Sequence, residues 1–112
     1  MASISWDDFT RVDLRVGTVV NAAAFPEART PAYILTIDFG EAVGMLRSSA
    51  QITDLYTLND LVGKQVVAVV NLPPKQIGPM MSECLVTGFH RPDGAVVLTT
   101  PDAPVPNGTR LA

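Results

Sequence analysis

Few residues in this 112-residue chain are of the types that make or break bonds, and their spacing keeps them apart. Cys84 is the one cysteine and His90 the one histidine. Six residues of extended chain separate them by about 20 Å, beyond the reach of a nucleophile and its base or of a shared metal ion. A single thiol forms no internal disulfide and no thiolate cage, and it fits a reducing compartment. The acidic residues are scattered, with no second histidine to complete a metal site. No glycine-rich turn cradles phosphate at the start of a helix, and no serine, histidine and acid fall in a hydrolase pattern. The expectation is a protein that is not an enzyme and uses no metal and no cofactor. Cys84 then reads as a small core residue.

The remaining candidates suit binding. Asn71 to Ser82 carries Pro73, Pro74, Gly78 and Pro79 and reads as a loop. Its Lys75, Ile77, Met80 and Met81 would line a groove or, on the plainer alternative, plug the end of a barrel. Ser48 and Ser49 stand at a strand end, where they would bond a ligand's backbone or phosphate, or cap the turn into Gln51 to Leu55. Arg11, Arg15, Arg29, Arg47 and Lys75 are the cations available for a patch. Arg11 and Arg15, however, share a strand face with Asp13 and read as surface ion pairs. A net charge of -3 further disfavours a strong grip on a polyanion. Of the few rings that could stack on bases, Tyr33 and Phe39 fall on core positions.

These residues must be positioned by short elements. Ser5 can cap a helix start over Trp6 to Phe9, with Asp8 answering three residues on. Val12, Leu14, Val16, Thr18 and Val20 alternate with Arg11, Asp13, Arg15, Gly17 and Val19, which predicts a half-buried strand with the first set facing inward and a bend or bulge at Gly17. Phe25 to Pro31 is a turn. Tyr33, Leu35, Ile37 and Phe39 alternate in a second strand, and Gly44 to Ser49 is a third. Thr57 to Leu61 with Gly63 behind it predicts a one-to-two-turn helix. Gln65 to Val70 is a strand buried on both sides. Glu83 to Phe89 and Ala95 to Thr99 follow, joined through Pro92-Asp93-Gly94. The fold class is mainly β: a five-stranded OB-fold barrel with one short helix after the third strand and N- and C-terminal extensions. Residues 1-112 form a single domain, with 1-10 and 101-112 as the extensions.

Composition adds a partner. Hydrophobic residues make up 47% of the chain and charged residues 17%, too apolar for disorder and apolar enough to leave part of the surface as an interface. A chain this short gains from a second copy. Trp6 and Phe9 would either lid the barrel bottom or meet another subunit. Met1 to Phe9 contains Asp7 and Asp8 and no charged-then-apolar leader, which predicts a cytoplasmic protein. No apolar run nears the roughly 20 residues of a membrane span, so no membrane insertion is expected.

The stretch Phe9-Thr10-Arg11-Val12-Asp13-Leu14-Arg15-Val16-Gly17-Thr18-Val19 resembles the opening signature of the tRNA-binding OB domain family. That family includes the C-terminal domain of bacterial methionyl-tRNA synthetase and free-standing relatives. The resemblance continues through Pro26, Ala28, Ile37-Asp38-Phe39-Gly40, Leu61-Val62-Gly63-Lys64, Asn71-Leu72-Pro73-Pro74-Lys75 and Ser82. Ser48-Ser49-Ala50-Gln51-Ile52-Thr53 and Pro101-Asp102-Ala103-Pro104-Val105-Pro106-Asn107-Gly108-Thr109 are similar to motifs of its CsaA branch. That branch implies a homodimeric cytoplasmic chaperone that holds export precursors unfolded, with dimer contacts at the chain ends and cavities for apolar peptide. One departure bears on the ligand. Relatives place two adjacent basic residues after the prolines, whereas this chain has Lys75-Gln76 and then Met80-Met81 before Ser82. Losing cations and gaining adaptable methionines tilts the ligand from tRNA to polypeptide.

The resulting expectation is a molecular chaperone for non-native or export-destined polypeptides. Its apolar groove would lie near Phe39, Met45, Ile77, Met80 and Met81, with Ser49, Asn71, Lys75 and Ser82 pairing to the peptide backbone. The alternative is a tRNA-binding module acting in trans through Arg47, Ser48, Ser49, Lys75 and Ser82. A homodimer would meet through Trp6, Phe9, Val105 and Leu111.

Overall fold

A computed structural model describes residues 1-112. The expected cap forms at the N-terminus: the Ser5 hydroxyl accepts from the Asp8 amide at 3.0 Å and the Asp8 carboxylate accepts from the Ser5 amide at 3.2 Å. It opens helix α1 (Trp6–Thr10), none of whose residues is buried. Strand β1 (Leu14–Ala24) pairs antiparallel with β2 (Tyr33–Asp38), and β2 pairs with β3 (Met45–Ala50). Helix α2 (Leu58–Leu61) follows, and a second reciprocal cap between Thr57 and Asp60 starts it. The Thr57 amide and hydroxyl hold the Asp60 carboxyl below its ordinary range. Strand β4 (Gln65–Val69) returns along the other side of β1.

Three short pieces then complete the chain. Strands β5 (Lys75–Ile77) and β6 (Met80–Ser82) make a hairpin, β7 (Leu85–Val86) adds to β4, and β8 (Gly88–His90) pairs with β9 (Val96–Leu98). The main sheet has five strands in the order β3-β2-β1-β4-β7 and curls into a nearly closed antiparallel OB-fold barrel. Val19, Leu35, Ile37, Phe39, Leu61 and Val66 are fully buried at its centre. No helix is long and apolar enough to cross a membrane.

Three local expectations are corrected. The inward face of β1 belongs to Gly17 and Val19; Val12 and Val20 are exposed. The register shifts between Val19 and Asn21, so the bulge falls at Val20 and not at Gly17. Gly17 serves close packing instead, because a β-carbon there would stand 2.5 Å from Ile37 Cγ2. Val16 is buried as well, and its backbone is paired by the C-terminal tail. The Gly108 and Leu111 amides donate to the Val16 and Leu14 carbonyls at 2.7 and 2.8 Å, and the Val16 amide donates to the Thr109 carbonyl at 3.0 Å. The tail thus takes the place beside early β1 that β2 takes beside its later half.

The second correction is that the stretch read as a loop from Asn71 contains the β5–β6 hairpin, turning at Gly78 with φ of 54°. The third is that Glu83 to Phe89 is broken into β7 and β8. Thr87 marks the break: its amide donates to the Val67 carbonyl at 3.0 Å while its own carbonyl accepts from Thr99 at 3.1 Å. One residue therefore joins the barrel to the β8–β9 hairpin.

Candidate functional site

Strands β3 and β7 are the outer strands of the sheet and form no ladder with each other. The seam between them is closed only at one end. There the Glu83 amide donates to the Arg47 carbonyl at 2.8 Å, the Arg47 amide to the Glu83 carboxylate at 2.9 Å, and the Ser49 amide to the Ser82 hydroxyl at 3.1 Å. Beyond Ser49 the seam opens into a hollow of about 410 Å³ between Ser49–Ile52 and Leu85–Gly88, with Ile77, His90 and Val96 completing its lining. A second hollow of about 610 Å³ adjoins it between the Glu27–Thr30 turn and the β5–β6 hairpin. The two share Ser49, Gln51 and Ile77, so they make one groove.

The groove has two characters. Ile52, Ile77, Leu85, Val86 and Val96 line the seam half, and Arg29, Lys75 and Glu27 line the hairpin half. His90 supplies the one aromatic ring of the seam half, and no Phe, Tyr or Trp lines either half. The hairpin is held against the barrel by a small satellite cluster, in which Met80 packs with Phe25 and Ala32.

Of the residues expected to bind, the groove brings together Ser49, Lys75 and Ile77. Phe39 is 0% and Met80 3% exposed, so both are packing residues and neither reaches a ligand. Ser48 is 1% exposed, on the inward face of β3, and its hydroxyl donates to the Ser49 carbonyl. Met45 and Arg47 share the outward face of β3 with Ser49 but lie outside the groove. Asn71 is engaged elsewhere: its side chain accepts from the Asp13 amide at 2.9 Å and donates to the Arg11 carbonyl at 2.7 Å. Met81 is exposed on the far side of the hairpin strand from Met80, and Ser82 serves the seam. Arg29 was expected only as a cation for a patch, and Gln51, Ile52, Leu85, Val86, His90 and Val96 were not expected to bind. Gln51 and Ile52 continue the serine-pair motif and were legible there; Val86 and Val96 carried no local signal.

The nucleophile question closes on Cys84. Burial pushes its thiol up to about 12, with the nearby Glu83 charge adding to the effect, so it stays protonated and inert.

A second surface lies at the chain ends. Trp6, Phe9, Val12 and Leu111 line an apolar hollow of about 290 Å³, with Trp6 81% exposed and its ring edge-on to Phe9 at 6.4 Å. Arg110 fixes this corner, donating to the Thr10 carbonyl and standing 3.5 Å from the Asp13 carboxylate that Arg15 also meets at 2.9 Å. Trp6 and Phe9 therefore do not lid the barrel. Val105 sits apart, its backbone clasped by both ends of the Gln65 amide at 2.7 and 3.1 Å.

Residues 14–110 match the family described as "Putative tRNA binding domain". The chain belongs to the tRNA-binding OB domain family. Within it the chain is of the CsaA type. It is 50% identical to the chaperone CsaA of Bacillus anthracis, covering 99% of this chain and 100% of that one with a TM-score of 0.93. It is 45% identical to the CsaA chaperone protein of Picrophilus torridus, covering 98% and 100% with a TM-score of 0.91. It is also 35% identical, over 94% of its length, to the methionine–tRNA ligase of Flavobacterium psychrophilum. This tRNA-binding OB domain spans only about 15% of the length of that ligase. The tRNA-binding domain family and the two CsaA structures are not catalytic families, and the match to the ligase takes in only a small part of that enzyme.

Proposed function

We propose that this protein is a homodimeric chaperone that binds extended, partly apolar segments of non-native polypeptide in the groove between β3 and β7. The observation that carries this reading is the lining of the seam half, where five aliphatic side chains adjoin an unpaired strand edge and His90 is the one ring that a base could stack on. Burying one aliphatic side chain of a client contributes roughly 1.5–3 kcal/mol. One or two such side chains with a few main-chain hydrogen bonds give micromolar binding, which suits transient holding. The half-identical chaperone CsaA supports the same reading. Clients would be precursors held in the cytoplasm before export, and the second copy would meet this one at Trp6, Phe9 and Leu111.

The family match favours a second reading, a tRNA-binding module acting in trans. Its contacts would come from Arg29, Arg47 and Lys75, none of which is in an ion pair. A parallel fluorescence titration with a labelled precursor-derived peptide and with tRNA, each at low and moderate salt, separates the two. The polypeptide reading expects saturable peptide binding that changes little with salt and weakens about tenfold in Ile77→Ser with Leu85→Ser. The tRNA reading expects retention that collapses as salt rises. Peptide that fails to bind while tRNA does would overturn the first.

A further inference from the structure

Three of the eight cations of this chain sit in ion pairs, and Arg29, Arg47, Lys64, Lys75 and Arg91 do not. Arg11, Arg15 and Arg110 are each matched to a carboxylate of Asp8 or Asp13. Arg29 and Lys75 are not: both are exposed and neither has an ion pair or a side-chain hydrogen bond. These two unmatched cations line the same half of the groove, from the turn before β2 and from β5.

One carboxylate, Glu27, lies with them. It stands at the hairpin tip, where a β-carbon on Gly78 would lie 3.9 Å from Glu27 Cβ. Lys75 is at the other end of the hairpin, in register with Ser82, whose hydroxyl meets Ser49 at the junction of the two hollows. A protein of net charge -3 thus keeps a positive site next to its apolar seam. The seam dictates the shape of what lies in it. The two hollows run on from each other through Ser49, Gln51 and Ile77, so an extended chain can lie along them, and alternate side chains of such a chain face the groove.

Resting on the polypeptide reading above, we infer that the groove selects extended segments carrying an apolar and an acidic side chain an even number of residues apart. The apolar side chain enters between Ile52, Ile77 and Val86, and the carboxylate lies between Arg29 and Lys75.

Short labelled Ser/Gly peptides with one leucine and one glutamate two residues on test this by fluorescence anisotropy at low salt. Relative to glutamate, glutamine at that position is expected to bind about threefold more weakly and lysine about tenfold. Moving the glutamate by one residue should match the glutamine peptide. In Arg29→Glu with Lys75→Glu the order should invert, with the lysine peptide binding best. Equal affinity for the glutamate, glutamine and lysine peptides would overturn the inference while leaving polypeptide binding intact. Failure of all peptides, with tRNA still retained, would overturn the polypeptide reading itself and this inference with it.

Discussion

The amide of Ser49 donates to the hydroxyl of Ser82 at 3.1 Å, and it is the last link across the barrel seam before the groove opens. That bond anchors the β5–β6 hairpin to β3 and so sets the width of the groove mouth. Ser82→Ala leaves the Ser49 amide unpaired, and the expected loss is about 1 kcal/mol, or a drop of about 4 °C in Tm. Ser82→Thr keeps the hydroxyl and should recover most of it. Calorimetry on the three proteins checks both.

Gly17 packs under Ile37 and Phe39 with no room for a side chain, the nearest atoms lying 2.5 and 2.8 Å from a β-carbon placed there. Gly17→Ala is expected to destabilise the fold by about 1–3 kcal/mol through overpacking. Ile37→Ala removes the closest atom, so the double substitution should cost less than the sum of the two singles. Urea midpoints for the four chains give the answer.

Cys84 contributes a pH dependence of known sign. Its thiol is raised from an ordinary 9.0 to about 12, so above pH 9 the unfolded chain gives up a proton that the folded chain keeps. Stability should therefore fall between pH 9 and about 12, by at most about 1.4 kcal/mol per pH unit, with no contribution below pH 9. Cys84→Ala should flatten that part of the profile. A thiol reagent at neutral pH should label the native protein slowly and the urea-unfolded chain fast.

Trp6 and Phe9 contribute nothing to the barrel core, which makes their exposure testable without loss of fold. Light scattering should give the native protein a mass of twice 11.9 kDa at micromolar concentration. Trp6→Ser with Phe9→Ser should give 11.9 kDa with an unchanged far-UV spectrum. A native protein that already runs as a monomer would count against the proposed dimer.

The barrel was legible because its elements carry local signals: alternation in β2, the apolar run of β4, the cap at Ser5 and the glycine behind α2. The inward face of β1 was not. Period-2 counting assumes one buried face, whereas Val16 and Gly17 are both buried as neighbours and the bulge at Val20 shifts the phase. Site reading failed for a related reason. Met80 and Phe39 have ligand-binding chemistry by type, but the β5–β6 turn and the curl of β2 aim them inward. Val86 and Val96 reach the groove only because the chain breaks at Thr87, a tertiary event with no signature in local spacing.

The pairing of Gly108 and Leu111 with early β1 ties the two ends of the chain together, as in the contact between Arg15 and Gly108 across 93 residues. Contacts of such sequence separation form late, because the intervening chain must be ordered first. During synthesis, β1 would therefore wait with one edge bare until the tail has emerged. A protein proposed to shield other chains would itself depend, in those moments, on finding its own last strand before another edge finds it.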